Sequence, residues 1–200
     1  MTFIEQLLTG PLHRVSHVTR YSSQPVILKE NVAEHSFYVA LYALMVAEYL
    51  EDVSIDIGTL LRRALCHDLD ESVTGDFQRK FKYSHPELKE TISKYGGKFM
   101  CAMLEDYEKV VGDAIYFDWH DAKDDTTEGQ IISVADYLAV VAYIIREHRL
   151  GNRYIQQLFC ECGDYGRWLR EEVAEAPLVH LITESLTFMS KVRREHNYGS

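Results

Sequence analysis

An apolar stripe at spacings of three and four, Ile57, Leu60, Leu61, Ala64 and Leu65, continues into a carboxylate, Asp68, with His67 beside it. A stripe of that period marks an amphipathic helix. Asp68 therefore inherits an inward-facing position, and an aspartate is seldom buried without a partner. Polar Asp70, Glu71 and Asp76 follow at once. The chain must pack helices around a centre that is polar.

Helical periodicity extends over nearly the whole chain, and no segment reads as a strand. Thr2-x-x-Glu5 has the form of a capping box opening a short helix that Gly10-Pro11 ends. Residues 12 to 30 read as irregular or briefly helical. Asn31-x-x-Glu34 opens a helix to about Leu50, with His35, Val39, Tyr42, Ala43 and Val46 on one face. Asp56 is placed to cap the next helix. Residues 72 to 83 break the periodicity with Thr74-Gly75-Asp76 and a basic patch, Arg79-Lys80-Phe81-Lys82. Ser84-x-x-Glu87, with Pro86 inside, predicts a helix start, and Gly96-Gly97 its end. Phe99 to Val111 is a further amphipathic stretch, and residues 118 to 129 read as acidic and irregular. A long helix follows from about Thr127 to Leu150, with Gly151 as its C-terminal cap. Its stripe is Ile132, Ala135, Asp136, Ala139, Ala142 and Tyr143. Helices over Asn152 to Cys162 and Val179 to Arg194 complete an all-α bundle.

The formal net charge of −10 argues against binding a nucleic-acid polymer, which usually needs a basic face. A small anionic substrate stays open, because it needs only a local cluster of Arg, Lys and metal. No apolar run reaches the roughly 18 residues that suggest a membrane helix, so no membrane partner is expected. The N-terminus lacks a basic n-region. Cys66, Cys101, Cys160 and Cys162 form no CxxC pair, which fits a reducing compartment and a cytoplasmic protein.

His35, His67, Asp68 and Asp136 supply two imidazoles and two carboxylates from three predicted helices. Facing helices of a bundle commonly build metal sites in this way. A mixed nitrogen and oxygen set suits a divalent transition metal: Zn, Co, Mn, Ni or Fe. Taken singly, each residue has a plainer reading. His35 could cap or pack, and Asp136 could be the buried partner of an arginine. A second pair, His120-Asp121, lies in the acidic stretch, where a solvated loop explains it.

In this order, His35…His67-Asp68…Asp136 resembles the HD-domain metal-dependent phosphohydrolases. Arg20-Tyr21, Glu34-His35-Ser36, His67-Asp68-x-x-Glu71, Thr74-Gly75-Asp76, Lys82-Tyr83, Ala135-Asp136 and Leu150-Gly151-Asn152 narrow the likeness to the bacterial 5′-deoxynucleotidase branch. That branch includes phage deoxynucleoside triphosphohydrolases acting on dATP. The likeness covers roughly residues 12 to 155. It implies one HD domain over residues 1–200, with C-terminal helices over about 156 to 195.

The resemblance also implies roles. The four ligands would hold a metal that polarises a phosphoryl oxygen and orients water. Glu71 would position or deprotonate that water; its plainer reading is a surface glutamate. Arg20 would grip phosphate oxygens. Lys82, with Arg79 or Lys80 as further candidates, would add charge, although a solvated patch explains Lys80. Asp76 would accept from the sugar hydroxyl, or be an ordinary turn aspartate. Tyr21 stands where the family usually has tryptophan, and would wall the sugar. Ser133 stands where many members carry lysine, a loss that Lys123 could replace. The expected substrate is a 2′-deoxynucleotide: a monophosphate giving nucleoside and phosphate, or a triphosphate such as dATP giving nucleoside and tripolyphosphate or losing phosphates stepwise. The rivals are a phosphodiesterase of cyclic or signalling nucleotides and a catalytically silent helical scaffold. A homo-oligomer, dimer or larger, is expected.

Overall fold

The computed structural model describes residues 2–51, 53–82 and 84–195, so Tyr83 of the Lys82-Tyr83 pair lies outside the described residues. Among the described residues ten α-helices follow in order: α1 Phe3–Thr9, α2 Val32–Tyr49, α3 Ile57–Cys66, α4 Glu71–Thr74, α5 Arg79–Lys82, α6 Pro86–Leu104, α7 Lys109–His120, α8 Thr127–Arg149, α9 Gln156–Glu172 and α10 Ala176–Glu195. Two 3-10 segments, Pro11–His17 and Arg153–Ile155, precede the first turn region and α9. No strand occurs among the described residues. A single antiparallel bridge joins Thr19 and Asn31.

Helix α8 is the axis of the bundle, with α2, α3, α9 and α10 packed around it. Val39, Ala43, Leu60, Ala64, Ile131, Ile132, Ala135, Tyr143, Ile144, Leu178 and Ile182 bury completely in the shared core. A smaller cluster of Met100, Met103, Leu104 and Tyr107 lies under α6 and α7. By length and composition α8 could cross a membrane, contrary to the expectation that no segment reaches that length. Here 67% of its most apolar window is buried inside the protein. Its apolarity is accounted for by its place in the core.

The capping boxes Thr2/Glu5 and Asn31/Glu34 both close, and Asp56 caps α3 through the Thr59 N–H. Gly151, just past α8, takes the left-handed conformation with φ +87° that a helix-ending glycine supplies. Four expectations need correction. Helix α6 runs straight through Gly96-Gly97, and a Cβ at Gly96 would lie 3.3 Å from Asp70 Oδ2. The glycine there serves close approach, not helix termination. Ser84 forms no capping box; its hydroxyl donates to the Phe81 carbonyl at 2.8 Å, and Pro86 opens α6 without a side-chain cap. The stretch from Phe99 to Val111 divides between two helices, and α7 extends to His120, so the irregular acidic segment shrinks to residues 121–126. Helix α9 continues to Glu172, carried by buried Leu158, Cys162, Gly166 and Leu169 on its inner face.

Candidate active site

Antiparallel pairing brings the first polar groups together. The Arg20 N–H donates to the Glu30 carbonyl at 2.8 Å, and the Val32 N–H to the Val18 carbonyl at 3.0 Å. This lays Arg20 beside the first turn of α2, where His35 sits almost fully buried. His67 and Asp68 lie in the turn that leaves α3, and Glu71 opens α4 one turn later. Asp136 projects from the buried face of α8.

One donor atom from each of His35, His67 and Asp68 falls within 4.8 Å of the others. His67 Nε2 is 3.0 Å and His35 Nε2 3.7 Å from Asp68 Oδ2. Asp136 stands outside that tight group of three, yet its Oδ1 lies 3.0 Å from His35 Nε2. Ligands held at 2.0–2.2 Å from one ion are themselves roughly 3 to 3.5 Å apart, so these spacings suit a shared cation.

The hydrogen bonding argues the same way. His67 Nδ1 lies 2.7 Å from the Ala64 carbonyl, which can only accept, so the ring proton belongs there. In the neutral ring Nε2 then carries a lone pair. That atom is buried without a hydrogen-bond partner among the described residues and faces a carboxylate oxygen. Two acceptors confronting each other in a buried site call for a cation between them. Burial pushes His35 down to about 4, with Arg20 adding to the shift against the pull of Asp136, so this imidazole is neutral at physiological pH, as a ligand must be. Its Nδ1 points towards Glu30 Oε1 at 3.8 Å.

Two cations face the carboxylates of Asp68 and Asp136. Arg20 Nη1 donates to Asp68 Oδ2 at 3.4 Å, and Lys123 Nζ to Asp136 Oδ2 at 2.6 Å. Burial opposes both ion pairs. Even so, the Lys123 ammonium favours the ionised form of both carboxylates, and Asp68 and Asp136 stay below the usual carboxylate range. Glu71 behaves oppositely. Burial and the neighbouring Asp68 carboxylate push it well above the usual range, against Arg20. Its Oε2 is buried with no hydrogen-bond partner among the described residues.

A pocket opens onto this cluster. Arg20, Asp68, Glu71, Asp76, Lys82, Lys123 and Asp136 line its polar part; Tyr21, Phe77, Val140, Ile144, Leu158, Cys162 and Tyr165 line the rest. Arg79 also reaches the pocket, whereas Lys80 is exposed and does not. Asp76 Oδ2 accepts the Tyr21 N–H at 2.8 Å. Tyr21 has φ +55°, a left-handed backbone that a bulky residue rarely adopts. Its ring stacks on Tyr143 at 4.7 Å between centroids. His120 and Asp121 pair with each other on the surface, at the end of α7, away from the cluster.

Sequence reasoning missed Glu30, which is buried between Arg20 and Arg146. It also missed the α9 wall of Leu158, Cys162 and Tyr165. Glu30 carries no periodic signal. The α9 wall did have one, a spacing of four and three, hidden because that helix was expected to stop at Cys162.

The chain is similar to known proteins in both sequence and fold. The family model described as 5′-deoxynucleotidase YfbR-like matches residues 8–162. A 5′-deoxynucleotidase of Photorhabdus laumondii is 29% identical over 154 residues, covering 70% of this chain and 73% of that protein. One of Shewanella oneidensis is 26% identical over 151 residues, covering 72% and 76%. Among solved structures, an HD-domain phosphohydrolase from Listeria innocua superposes with a TM-score of 0.77 at 22% identity, covering 93% of this chain and 89% of that one. A cyanophage S-2L HD phosphohydrolase, bound to dA and one catalytic Zn2+ ion, gives 0.57 at 18%, covering 92% and 94%. The fold is that of the HD-domain phosphohydrolases.

Proposed function

Because the chain belongs to the 5′-deoxynucleotidase YfbR-like family, we propose that His35, His67, Asp68 and Asp136 bind the divalent metal at which this enzyme hydrolyses the 5′-phosphate ester of a 2′-deoxynucleotide. That it is a metal-dependent phosphohydrolase of deoxynucleotides follows from the family; the residue roles are our reading. The observation that carries them is the buried confrontation of His67 Nε2 with Asp68 Oδ2 at 3.0 Å. The ion is of the transition series, Zn, Co, Mn, Ni or Fe, because hard oxygen-seeking ions do not favour two imidazoles. When bound it would supply Lewis-acid polarisation of a phosphoryl oxygen and an acidified water.

The chain's own groups do the rest. Glu71 takes a proton from the attacking water, a task that suits a carboxylate whose proton affinity is raised by burial. Arg20 and Lys123 are each poised beside a ligand carboxylate and offer donors to non-bridging phosphate oxygens. Lys123 thereby replaces the lysine that Ser133 displaces. Lys82 adds charge for outer phosphates. Asp76 holds the Tyr21 backbone, and the Tyr21 ring walls the sugar. Water attacks phosphorus, the bond from phosphorus to the 5′-oxygen breaks, and the 5′-oxygen takes up the proton that Glu71 accepted, giving the deoxynucleoside and the free phosphate.

Product identification tests this directly. Metal-loaded protein is given dAMP and dATP, and the products are separated by chromatography. Deoxyadenosine with phosphate from dAMP, and deoxyadenosine with tripolyphosphate from dATP, are the expected results; dADP from dATP would place the attack at the outer phosphate instead. Hydrolysis of a cyclic nucleotide with neither deoxynucleotide touched would overturn the substrate class.

A further inference from the structure

We propose that the nucleobase is seated on the ring of Tyr165, entering between that ring and the guanidinium of Arg79. The inference rests on the reading that the pocket takes a deoxynucleotide, and it adds a subsite beyond residue 162, where the family match ends. Arg79 Cζ lies 3.1 Å above the centre of the Tyr165 ring, and both side chains line the pocket. A guanidinium is flat, delocalised and weakly hydrated, so it stacks on an aromatic face much as a base would. It therefore marks a face already shaped for a planar group.

The ring beneath is braced. Tyr165 stacks on Trp168 with an interplanar angle of 21° and meets Tyr137 edge-on at 5.8 Å. Tyr137 is itself fully buried, accepts from Ser185 Oγ at 3.0 Å, and sits so close to Gly166 that a Cβ there would lie 2.5 Å from its hydroxyl. A platform fixed on this scale loses little freedom when a ligand stacks on it. The cover is held differently. Arg79 belongs to the four-residue helix α5, in a segment with exposed Phe77, Gln78 and Lys80. An incoming base needs to lift the guanidinium by only about one ring thickness, after which both stacking contacts persist through the base. Cys162 and Leu158, one and two turns earlier on α9, continue the apolar wall. Stacking reads the face of a base and tolerates its identity, so this seat supplies affinity for nucleotides in general.

The test compares dAMP with 2-deoxyribose 5-phosphate, which keeps the sugar and the reacting ester and lacks the base. In the metal-loaded full chain, Tyr165→Ala should lower kcat/KM for dAMP by roughly 5- to 100-fold, the range expected for one stacked base. The baseless ester should change by less than about twofold, since no stacking contact is lost with it. Tyr165→Phe should preserve both activities, because the face and not the hydroxyl is used. Arg79→Ala should weaken dAMP selectively as well. Equal losses on the two substrates in Tyr165→Ala, or in Arg79→Ala, would overturn the seat, making these residues pocket shape or phosphate ligands. Calorimetric binding of deoxyadenosine requires no hydrolysis and separates this proposal from the catalytic one. Binding that Tyr165→Ala abolishes supports the seat even where no phosphate is released; binding that is unchanged refutes it.

Discussion

Glu71 and Asp68 are three residues apart and carry opposite electrostatic consequences of the same burial. Asp68 faces cations and stays low; Glu71 faces carboxylates and is pushed up. An ionised Glu71 is the form that accepts a proton, so the rate should fall as pH drops through a value above the ordinary glutamate range near 4.3. Glu71→Gln should keep its metal, lose about 10²-fold or more in kcat, and lose that acid limb from its kcat/KM profile. A variant that retains the limb would assign it to another group. Tyr21 poses the second question at this scale. Burial pushes its phenol up to about 12, so the hydroxyl remains a donor at neutral pH. In its proposed place beside the sugar, the ring, stacked on Tyr143, would crowd a 2′-hydroxyl. An apolar wall rejects an added hydroxyl by on the order of 10²-fold. That ratio should separate dAMP from AMP in kcat/KM, shrink in Tyr21→Ala, and hold or sharpen in Tyr21→Phe; equal values for the two nucleotides in the unmodified protein would contradict the sugar assignment.

Helix α6 shows what a glycine pair can mean in a helical chain. Gly96 admits Asp70, whose other oxygen accepts the Trp119 indole N–H at 3.0 Å. Gly97 has no such duty, since a Cβ there meets Trp119 only at 3.9 Å, an ordinary contact. Gly97→Ala should therefore stabilise the protein by about 0.5–1 kcal/mol, the propensity difference between the two residues in a helix. Urea unfolding measures this, and destabilisation by the same amount would show that the contact is tighter than it looks. The contrast explains which elements were legible. Helices α2 and α8 announce themselves by capping residues and long stripes, so His35 and Asp136 were assigned to the right turns. Helix α6 was cut short because sequence cannot distinguish a terminating glycine from one that admits a neighbour. The ends of α7 and α9 were missed because acidic and aromatic residues there blur the period of burial.

Across the whole molecule, the polar centre follows from one buried helix. Packed among α2, α3, α9 and α10, α8 places Asp136 against His35 from α2 and within reach of Lys123. The four residues proposed to hold the metal stand out in the sequence because they lie on strongly periodic segments or directly continue one. Glu30 and Lys123 lie in irregular segments and are recruited by charge, which leaves no pattern in a sequence. Arg20 and Lys123 pair with Asp68 and Asp136, so an ion bound at the proposed site would compete with two internal cations. The decisive measurement is a metal titration of chelator-stripped protein with dAMP hydrolysis followed in the same samples. A single divalent ion should bind each unmodified chain, and hydrolysis should rise with occupancy. Asp136→Ala should fail in both while keeping its helical circular dichroism. Undiminished hydrolysis in stripped protein held in chelator, or in Asp136→Ala, would contradict the account.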